Sequence, residues 1–188
     1  SYLYENLTEL TEPYITALER LFPSEKESLR LVELKSLAIL KLSLIFLMDK
    51  ENATEFKASI VEKPFDLNFR LSSGNAIRFN GIIDRIDLRN QDAVIVDYKS
   101  SLTTFTESQF SAGIKLQLPT YAWALQTEGL KPKAALYFGL SPEKIDLSAD
   151  PSFDVKAEVL KSRRLKGMIF SKDDGIDTEG SHIVGFGL

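Results

Sequence analysis

The stretch that decides the fold is GIIDRIDLRNQDAVIVDYK, residues 81–99. Apolar residues recur on both sides of a polar turn at residues 89–92, and this pattern predicts strands over Ile77–Leu88 and Ala93–Tyr98. The second strand is apolar on both faces, as expected of a central strand in a sheet. Two neighbouring strands joined by a tight turn therefore form the centre of the predicted fold.

Charged residues lie at the ends of these two strands. Side chains alternate along a strand, so Asp97 and Lys99 project from the same face. Asp84, thirteen residues before Asp97, lies on the preceding strand. Two carboxylates and an ammonium are therefore aimed at one region.

Two helices are predicted before the sheet. Ser24 and Glu27 have the spacing of a capping box ahead of a leucine-rich stretch, which predicts a helix over about Glu25–Lys50. A shorter helix is predicted over Leu3–Leu21. The apolar stretch Leu37–Met48 falls short of the roughly 20 residues that a membrane span needs, so we interpret it as part of a buried helix.

Strands and a helix flank the central stretch. Alternation after Pro64 predicts the first strand of a meander, and downstream the pattern predicts a helix over Leu116–Gln126, ended near Gly129, and a strand over Lys133–Leu140. The apolar residues that share one face of the first strand are Phe65, Leu67, Phe69 and Leu71. This order predicts one α/β domain, with a helical N-terminal part (1–61), a core (62–140) and a C-terminal extension (141–188).

Composition limits the possible functions. The chain has 188 residues, 44% of them hydrophobic, and a net charge of −4, which fits a domain with a sizeable core and argues against DNA binding by overall basicity. With no cysteine, disulfides, thiolate metal sites, iron–sulfur clusters and thiol nucleophiles are excluded. There is no signal-peptide pattern, and a cytoplasmic location is expected.

An acid, any residue and a lysine are a weak signal, because charged residues are common and such triplets arise by chance. Only Asp97-Tyr98-Lys99 ends an apolar strand and follows a neighbour that carries Asp84. One interpretation is structural: Asp97 pairs with Lys99, and Asp84 pairs with Arg85 or Arg163. The other is a divalent-metal site for phosphodiester hydrolysis, in which carboxylates hold the cation and the lysine positions water or steadies the phosphate charge.

Other candidate residues have alternatives of their own. Glu62 either reaches the site or caps the first strand, and Tyr121 either stacks on a base or packs in the core, where Trp123 is expected. The turn residues Arg89, Asp87 and Asp92 are expected to be solvated. The single histidine, His182, lies in a glycine-rich segment, so histidine-dependent triads are not expected. The basic cluster is either a phosphate contact or a solvated turn, and its members are Lys161, Arg163, Arg164 and Lys166.

Taken together, three segments resemble the RecB-family branch of the PD-(D/E)XK nucleases. These are Gly81–Asp87, Asp97–Ser100 and the stretch Gly113–Tyr121 with its Gln117-x-x-x-Tyr121 element. The segments 132–140 and 164–170 extend the similarity to the carboxy-terminal nuclease domain of AddB- or RexB-type helicase–nuclease subunits. The joint match is far more specific than any single triplet.

The resemblance implies a restriction-endonuclease-like mixed central sheet flanked by helices, a Mg²⁺ or Mn²⁺ site, and degradation of DNA ends during double-strand-break repair. It implies that Asp84, Asp97 and the Tyr98 carbonyl bind the metal and that Lys99 is the catalytic lysine. It further implies that Gln117 and Tyr121 orient the site and contact the substrate. The implied partners are DNA, further domains of the same polypeptide and a helicase subunit.

The chain departs from the family pattern in two ways. Many AddB-type domains hold an iron–sulfur cluster on four cysteines, and this sequence has no cysteine. A histidine or glutamate on an upstream helix often completes the metal site, and no such residue is identified here. The sequence therefore predicts a metal-dependent DNA nuclease, with exonuclease activity. The alternative is a nuclease-like module that binds DNA or a partner without cutting.

Overall fold

The computed structural model describes residues 2–101, 106–141, 154, 165–170 and 182–185. Contacts along the chain divide it into two compact units, residues 1–50 and residues 51–188. The first is helical, and the second contains the sheet.

The N-terminal unit confirms both predicted helices. Helix α1 spans Tyr2–Leu21 and helix α2 spans Lys26–Ala53, with a 3₁₀ turn at Pro23–Glu25 between them. Ser24 lies inside that turn rather than at the N-cap of α2, so the predicted capping box is not the start of the helix. Pro23 at the first position of the turn, where a missing N–H costs nothing, marks the start instead.

The prediction that Leu37–Met48 is buried is wrong for most of that stretch. Only Ser43 and Phe46 are buried in α2, whereas Leu42 and Ile45 are 50% and 44% exposed. Apolar residues follow one another too closely here to share one face of a helix with 3.6 residues per turn. None of the described helices is both long and apolar enough to cross a membrane.

The second unit is built on a mixed six-stranded sheet whose strands are ordered as they occur in the sequence. The pairs β3–β4 and β5–β6 are parallel, and the other three pairs are antiparallel. Between β3 and β4 the chain forms α3, residues Glu107–Ser111, and α4, residues Gln117–Thr127. The strands are β1 (Lys57–Arg70), β2 (Ala76–Arg89), β3 (Asp92–Lys99), β4 (Lys131–Gly139), β5 (Lys166–Ile169) and β6 (His182–Gly185).

The meander, the helix and the strand after it are confirmed, but β1 begins at Lys57, before the predicted start after Pro64. Proline has no N–H for the ladder and is tolerated on edge strands. Because β1 is the edge strand of the sheet, the strand continues through Pro64, which pairs with Ile82.

Helix α4 packs against one face of the sheet and forms the core with it. Ile86, Ile95 and Ala135 are neighbours across β2, β3 and β4, and all three are fully buried. Leu118 and Leu125 of α4, also fully buried, belong to the same cluster. Gly129 follows the helix with a φ of +87°, the left-handed conformation that glycine adopts at helix ends. This packing fixes the first turn of α4 beside the end of β3.

Gly167 on β5 is required by the close approach of β4. A Cβ atom at this position would lie 2.1 Å from the carbonyl oxygen of Ala135 and 2.9 Å from Cα of Leu136. We therefore expect Gly167→Ala to lower the free energy of unfolding by about 1–3 kcal/mol, as overpacking does in other cores.

Chemical denaturation of the two glycine variants Gly167→Ala and Gly81→Ala tests this expectation. A Cβ on Gly81 would meet only the Phe65 ring, at 3.0 Å, and a side chain can shift where backbone cannot. Gly81→Ala should therefore cost less. Equal losses from the two substitutions would contradict the steric argument.

Candidate active site

The end of β3 carries two of the charged residues of the candidate site. Ala93 and Ile95 face α4 and are fully buried, and alternation places Asp97 and Lys99 after them on the same face. Asp97 is only 1% exposed, whereas the Lys99 side chain is 30% exposed. The predicted arrangement of a carboxylate and an ammonium on one face is therefore present.

Asp84 lies beside Asp97 because of the register between β2 and β3. The last pair of that ladder is Arg85 with Val96, and the next residues along the two strands are Asp84 and Asp97. Asp84 Oδ2 accepts a hydrogen bond of 2.8 Å from the backbone N–H of Tyr98. The two carboxylates are thus held on neighbouring strands where the ladder ends.

The Tyr98 peptide groups point toward β2 rather than β4. The carbonyl of Lys99 accepts a hydrogen bond from Leu140, just beyond β4, and successive residues of a strand direct their backbone groups to opposite sides. The carbonyl of Tyr98 therefore points to the same side as its N–H, toward Asp84. A backbone oxygen and a carboxylate consequently lie on the same side of the end of β3.

The amide of Gln117 connects the charged groups. Its Nε2 donates to Asp97 Oδ1 at 2.8 Å and to the hydroxyl of Tyr121 at 2.7 Å. Its Oε1 accepts from Nζ of Lys99 at 3.0 Å. An ammonium can only donate, which fixes the direction of the amide. Gln117 and Tyr121 are four residues apart on α4, so they share one face of the helix.

One carboxylate oxygen of Asp97, Oδ2, is buried without a hydrogen-bond donor among the described residues. Its Oδ2 lies 2.5 Å from Nζ of Lys99, but this buried atom receives no contact with hydrogen-bond geometry from any described residue. The Lys99 ammonium also lies 5.3 Å from the ring centroid of Tyr137. Lys99 therefore supplies charge to Asp97 without satisfying all its hydrogen-bonding capacity.

The local electrostatics favour an added positive charge. Burial raises the pKa of Asp97 above its usual value, the Lys99 ammonium opposes that shift, and the charge of Asp84 adds to it. Burial, helped by the charge of Asp97, also raises the pKa of Tyr137 to about 12. A cation between Asp84 and Asp97 would relieve the repulsion between their charges.

The donor set fits a hard divalent cation that keeps part of its water shell. No group of three or more histidine, cysteine, aspartate or glutamate side chains suited to a metal occurs among the described residues. Mg²⁺ is nevertheless commonly held by one or two carboxylates together with water and substrate phosphate. Asp84, Asp97 and the Tyr98 carbonyl supply oxygen atoms of the required kind.

Five of the predicted side chains lie together in the structure, whereas the predicted basic residues are either two strands away or outside the described residues. Asp84, Asp97, Lys99, Gln117 and Tyr121 form the site, and Tyr121 is also a buried core residue in edge contact with Phe65.

Lys166 lies on β5, paired with Tyr137, which itself pairs with Asp97 on β3. It is therefore in the same row of the sheet, two strands away. Lys161, Arg163 and Arg164, the rest of the predicted basic cluster, lie outside the described residues. The side chain of His182 is also not described.

Two predictions about charged residues need correction. Asp87 is buried rather than solvated, because Arg85 binds it with two hydrogen bonds of 2.5 and 2.8 Å. Arg85 therefore pairs with Asp87 and not with Asp84. The spacing of the two residues on one face of β2 was the signal for this pair.

Glu62 neither precedes nor caps a strand. It lies within β1, exposed, with a left-handed φ of 50°. Its neighbours Val61 and Lys63 pair with Arg85 and Ile83, so Glu62 is opposite Asp84. Trp123, as expected, packs against the core.

The sequence was compared with family models and with curated proteins. Residues 3–178 match the family model of the PD-(D/E)XK nuclease superfamily. Among curated proteins, the chain is similar to an ATP-dependent helicase/deoxyribonuclease subunit of Streptococcus uberis, with 40% identity over 114 residues, which is 56% of this chain and 10% of the relative.

The similarity extends to the corresponding subunit in other bacteria. It reaches 31% identity over 152 residues in Clostridium botulinum strain Langeland (71% of this chain, 13% of the relative). In Lacticaseibacillus casei it is 35% over 115 residues (57% and 10%). The chain spans about a tenth of the length of these relatives. Since the family model covers most of its residues, the chain belongs to the PD-(D/E)XK nuclease superfamily.

Proposed function

We propose that this chain is a divalent-metal-dependent deoxyribonuclease that hydrolyses phosphodiester bonds of DNA and acts as an exonuclease. The observation that carries the proposal is the convergence of Asp84, Asp97 and Lys99 at the end of β3, under the amide of Gln117. Membership of a nuclease superfamily supports it.

Each residue has a role that follows from its contacts. Asp84, Asp97 and the carbonyl of Tyr98 would hold Mg²⁺ or Mn²⁺, which neutralises phosphate charge and lowers the pKa of water. Lys99, partly exposed and hydrogen-bonded to Gln117, would steady the charge on the phosphate or position the attacking water. Gln117 holds Asp97 and Lys99 in one arrangement, and Tyr121 supports Gln117 from the same helix face.

The proposed setting is a larger helicase–nuclease. The named relatives are ATP-dependent helicase/deoxyribonuclease subunits roughly ten times the aligned length. We infer that the domain acts on DNA ends in the cytoplasm during double-strand-break repair and recombination, together with further domains of its polypeptide and a helicase partner. Lys166, with Lys161, Arg163 and Arg164, would contact DNA phosphates in this proposal.

One observation favours a second candidate, a nuclease-like module that binds DNA without cutting it. Lys99 lies 2.5 Å from Asp97 Oδ2, and no third acidic or histidine ligand completes a metal cluster among the described residues. If this contact persists, it competes with a cation for Asp97. The two candidates differ in whether a chelator changes what the protein does to linear DNA.

Replacing Lys99 tests the catalytic role directly. We expect Lys99→Ala to reduce Mg²⁺- or Mn²⁺-dependent degradation of linear DNA by about 10²–10³-fold, the usual effect of removing one electrostatic contact to a reacting group. DNA binding in a gel-shift assay should remain, because one phosphate contact of several is lost.

The matched control is Lys133→Ala on β4. Lys133 lies 3.7 Å from Asp92 at the other end of the strands, so its loss should leave cleavage unchanged. Chelator-insensitive DNA binding with no cleavage by the unsubstituted chain would support the non-cutting module instead.

Metal binding can be tested without any nuclease assay. We expect Mn²⁺ to stabilise the folded chain by about 2.7 kcal/mol at roughly a hundredfold excess over its Kd, measured as a rise in Tm. Asp97→Asn should abolish this rise because a neutral amide is a poor ligand for the cation. Asp66→Asn, the same change at an exposed aspartate paired with Arg78, should retain it. A rise of equal size in all three proteins would place the metal elsewhere.

The stabilisation by Mn²⁺ should depend on pH through Asp97. Its raised pKa means that the folded chain binds a proton more tightly than the unfolded chain, so metal-free stability should fall as pH rises through that pKa. Metal binding needs the ionised form and should weaken as pH falls, beginning above the ordinary aspartate value of about 3.9. Titrations of Mn²⁺ binding across pH by calorimetry measure this, and constant affinity down to about pH 4 would contradict it.

A further inference from the structure

Tyr137 of β4 lies directly beside Asp97 in the sheet. The two residues are partners in the parallel pairing of β3 with β4, and paired residues present their side chains on the same face. Tyr137 is only 2% exposed and belongs to the core cluster that α4 shares with the sheet. An aromatic ring is therefore buried next to the innermost carboxylate of the candidate site.

The ammonium of Lys99 lies over this ring, with Nζ 5.3 Å from the ring centroid. A cation within about 6 Å of an aromatic centroid is attracted by the negative face of the ring. The residue paired with Lys99 on β4 is Gly139, which has no side chain. Gly139 therefore places no side chain between Lys99 and the ring of Tyr137.

The described contacts of the Lys99 ammonium differ in charge. Asp97 Oδ2 lies 2.5 Å from Nζ, but this contact lacks hydrogen-bond geometry. Gln117 Oε1 accepts a hydrogen bond of 3.0 Å from the same Nζ. A cation bound by Asp97 would repel the ammonium and offset the negative charge that now attracts it. The amide of Gln117 and the ring of Tyr137 are neutral, so they would still attract the ammonium.

We propose that Tyr137 is a positioning residue, whose ring acts with the amide of Gln117 to keep the Lys99 ammonium in the site when the charge of Asp97 is neutralised by a bound cation. The contact between Lys99 and Asp97 then belongs to the metal-free chain, and its loss does not displace the lysine. The inference rests on the proposed function for the bound cation, whereas the support of Lys99 by the ring does not depend on it.

Neutralising Asp97 in metal-free protein tests the proposal without nuclease activity. Asp97→Asn removes the charge that faces Lys99 and keeps the shape of the side chain. Protons held over an aromatic ring resonate upfield, so NMR can follow the ε-methylene signal of Lys99, identified by its disappearance in Lys99→Arg. We expect its upfield position to persist in Asp97→Asn and in Tyr137→Phe, which keeps the ring. In Tyr137→Leu the signal should move downfield.

The matched control is Phe138→Leu, which removes a buried ring from the next position of β4. Phe138 is fully buried and packs edge-on against Tyr98, with 6.1 Å between the ring centroids. Its loss should leave the Lys99 signal unchanged. Lys50, whose ammonium lies 5.6 Å from the centroid of Phe46 in α2, provides an internal reference that should not move in any of these variants.

Two results would overturn the proposal. Loss of the upfield position in Asp97→Asn would show that the ion pair holds the lysine, and its survival in Tyr137→Leu would show that the ring does not. If Tyr137→Leu fails to fold, nuclear Overhauser contacts between the Lys99 ε-methylene and the Tyr137 ring give the same decision. They should be present in the unsubstituted chain and in Asp97→Asn, and their absence from either would contradict the proposal.

Cleavage kinetics give a second readout, one that a purely structural role would not move. Tyr137→Leu should lower kcat by about 2- to 30-fold, the range of one cation–π contact, with KM for DNA unchanged because the ring is buried. In the Lys99→Ala background it should have no further effect, since the ammonium is already gone. An equal loss in both backgrounds would contradict a role through Lys99. If the unsubstituted chain does not cut DNA, the proposed function fails, but the NMR comparison still decides the role of Tyr137.

Discussion

The Asp97 carboxylate is almost completely buried at the end of β3, and a charge in that position is costly unless other groups compensate it. Lys99 supplies opposite charge, and Gln117 donates a hydrogen bond. Both depend on the fold: Lys99 because it is two residues further along the same strand, and Gln117 because α4 packs against that face. The arrangement of the site follows from the need to stabilise this one group.

The same carboxylate explains why binding of an additional cation at the site would be favourable. Burial raises its pKa, the Lys99 ammonium offsets only part of that rise, and the charge of Asp84 on the next strand adds a smaller repulsion. The buried charge of Asp97 therefore lowers the stability of the metal-free fold, although the proposed activity requires that charge. Groups whose pKa is shifted by burial and by neighbouring charges are common at sites that bind cations or substrates.

Sequence patterns predicted the parts of this structure that depend on local periodicity. Alternation located β2 and β3, and the side on which Asp97 and Lys99 lie follows directly from it. Two features were missed. Strand β1 continues through Pro64 because it is an edge strand, which only the pairing of strands in the sheet decides. Asp87 is paired with Arg85 two residues before it, a contact that the spacing of the two residues on one face of β2 could have indicated. Side chains such as Leu42 remain exposed because an evenly apolar helix does not specify which side is covered. The hydrogen bonds of Gln117 to Lys99 and Asp97 form because α4 packs beside the end of β3, and local sequence patterns do not predict that packing.

The irregular edge strand β1 also affects how the chain behaves at high concentration. Within fourteen residues it has a register shift between Ala58 and Ile60, a left-handed residue at Glu62 and a proline at position 64. Each interrupts the row of backbone donors and acceptors that a strand from another molecule would need for continuous pairing. The first half of β1 is therefore protected against edge-to-edge aggregation, although the strand is long and lies at the border of its sheet.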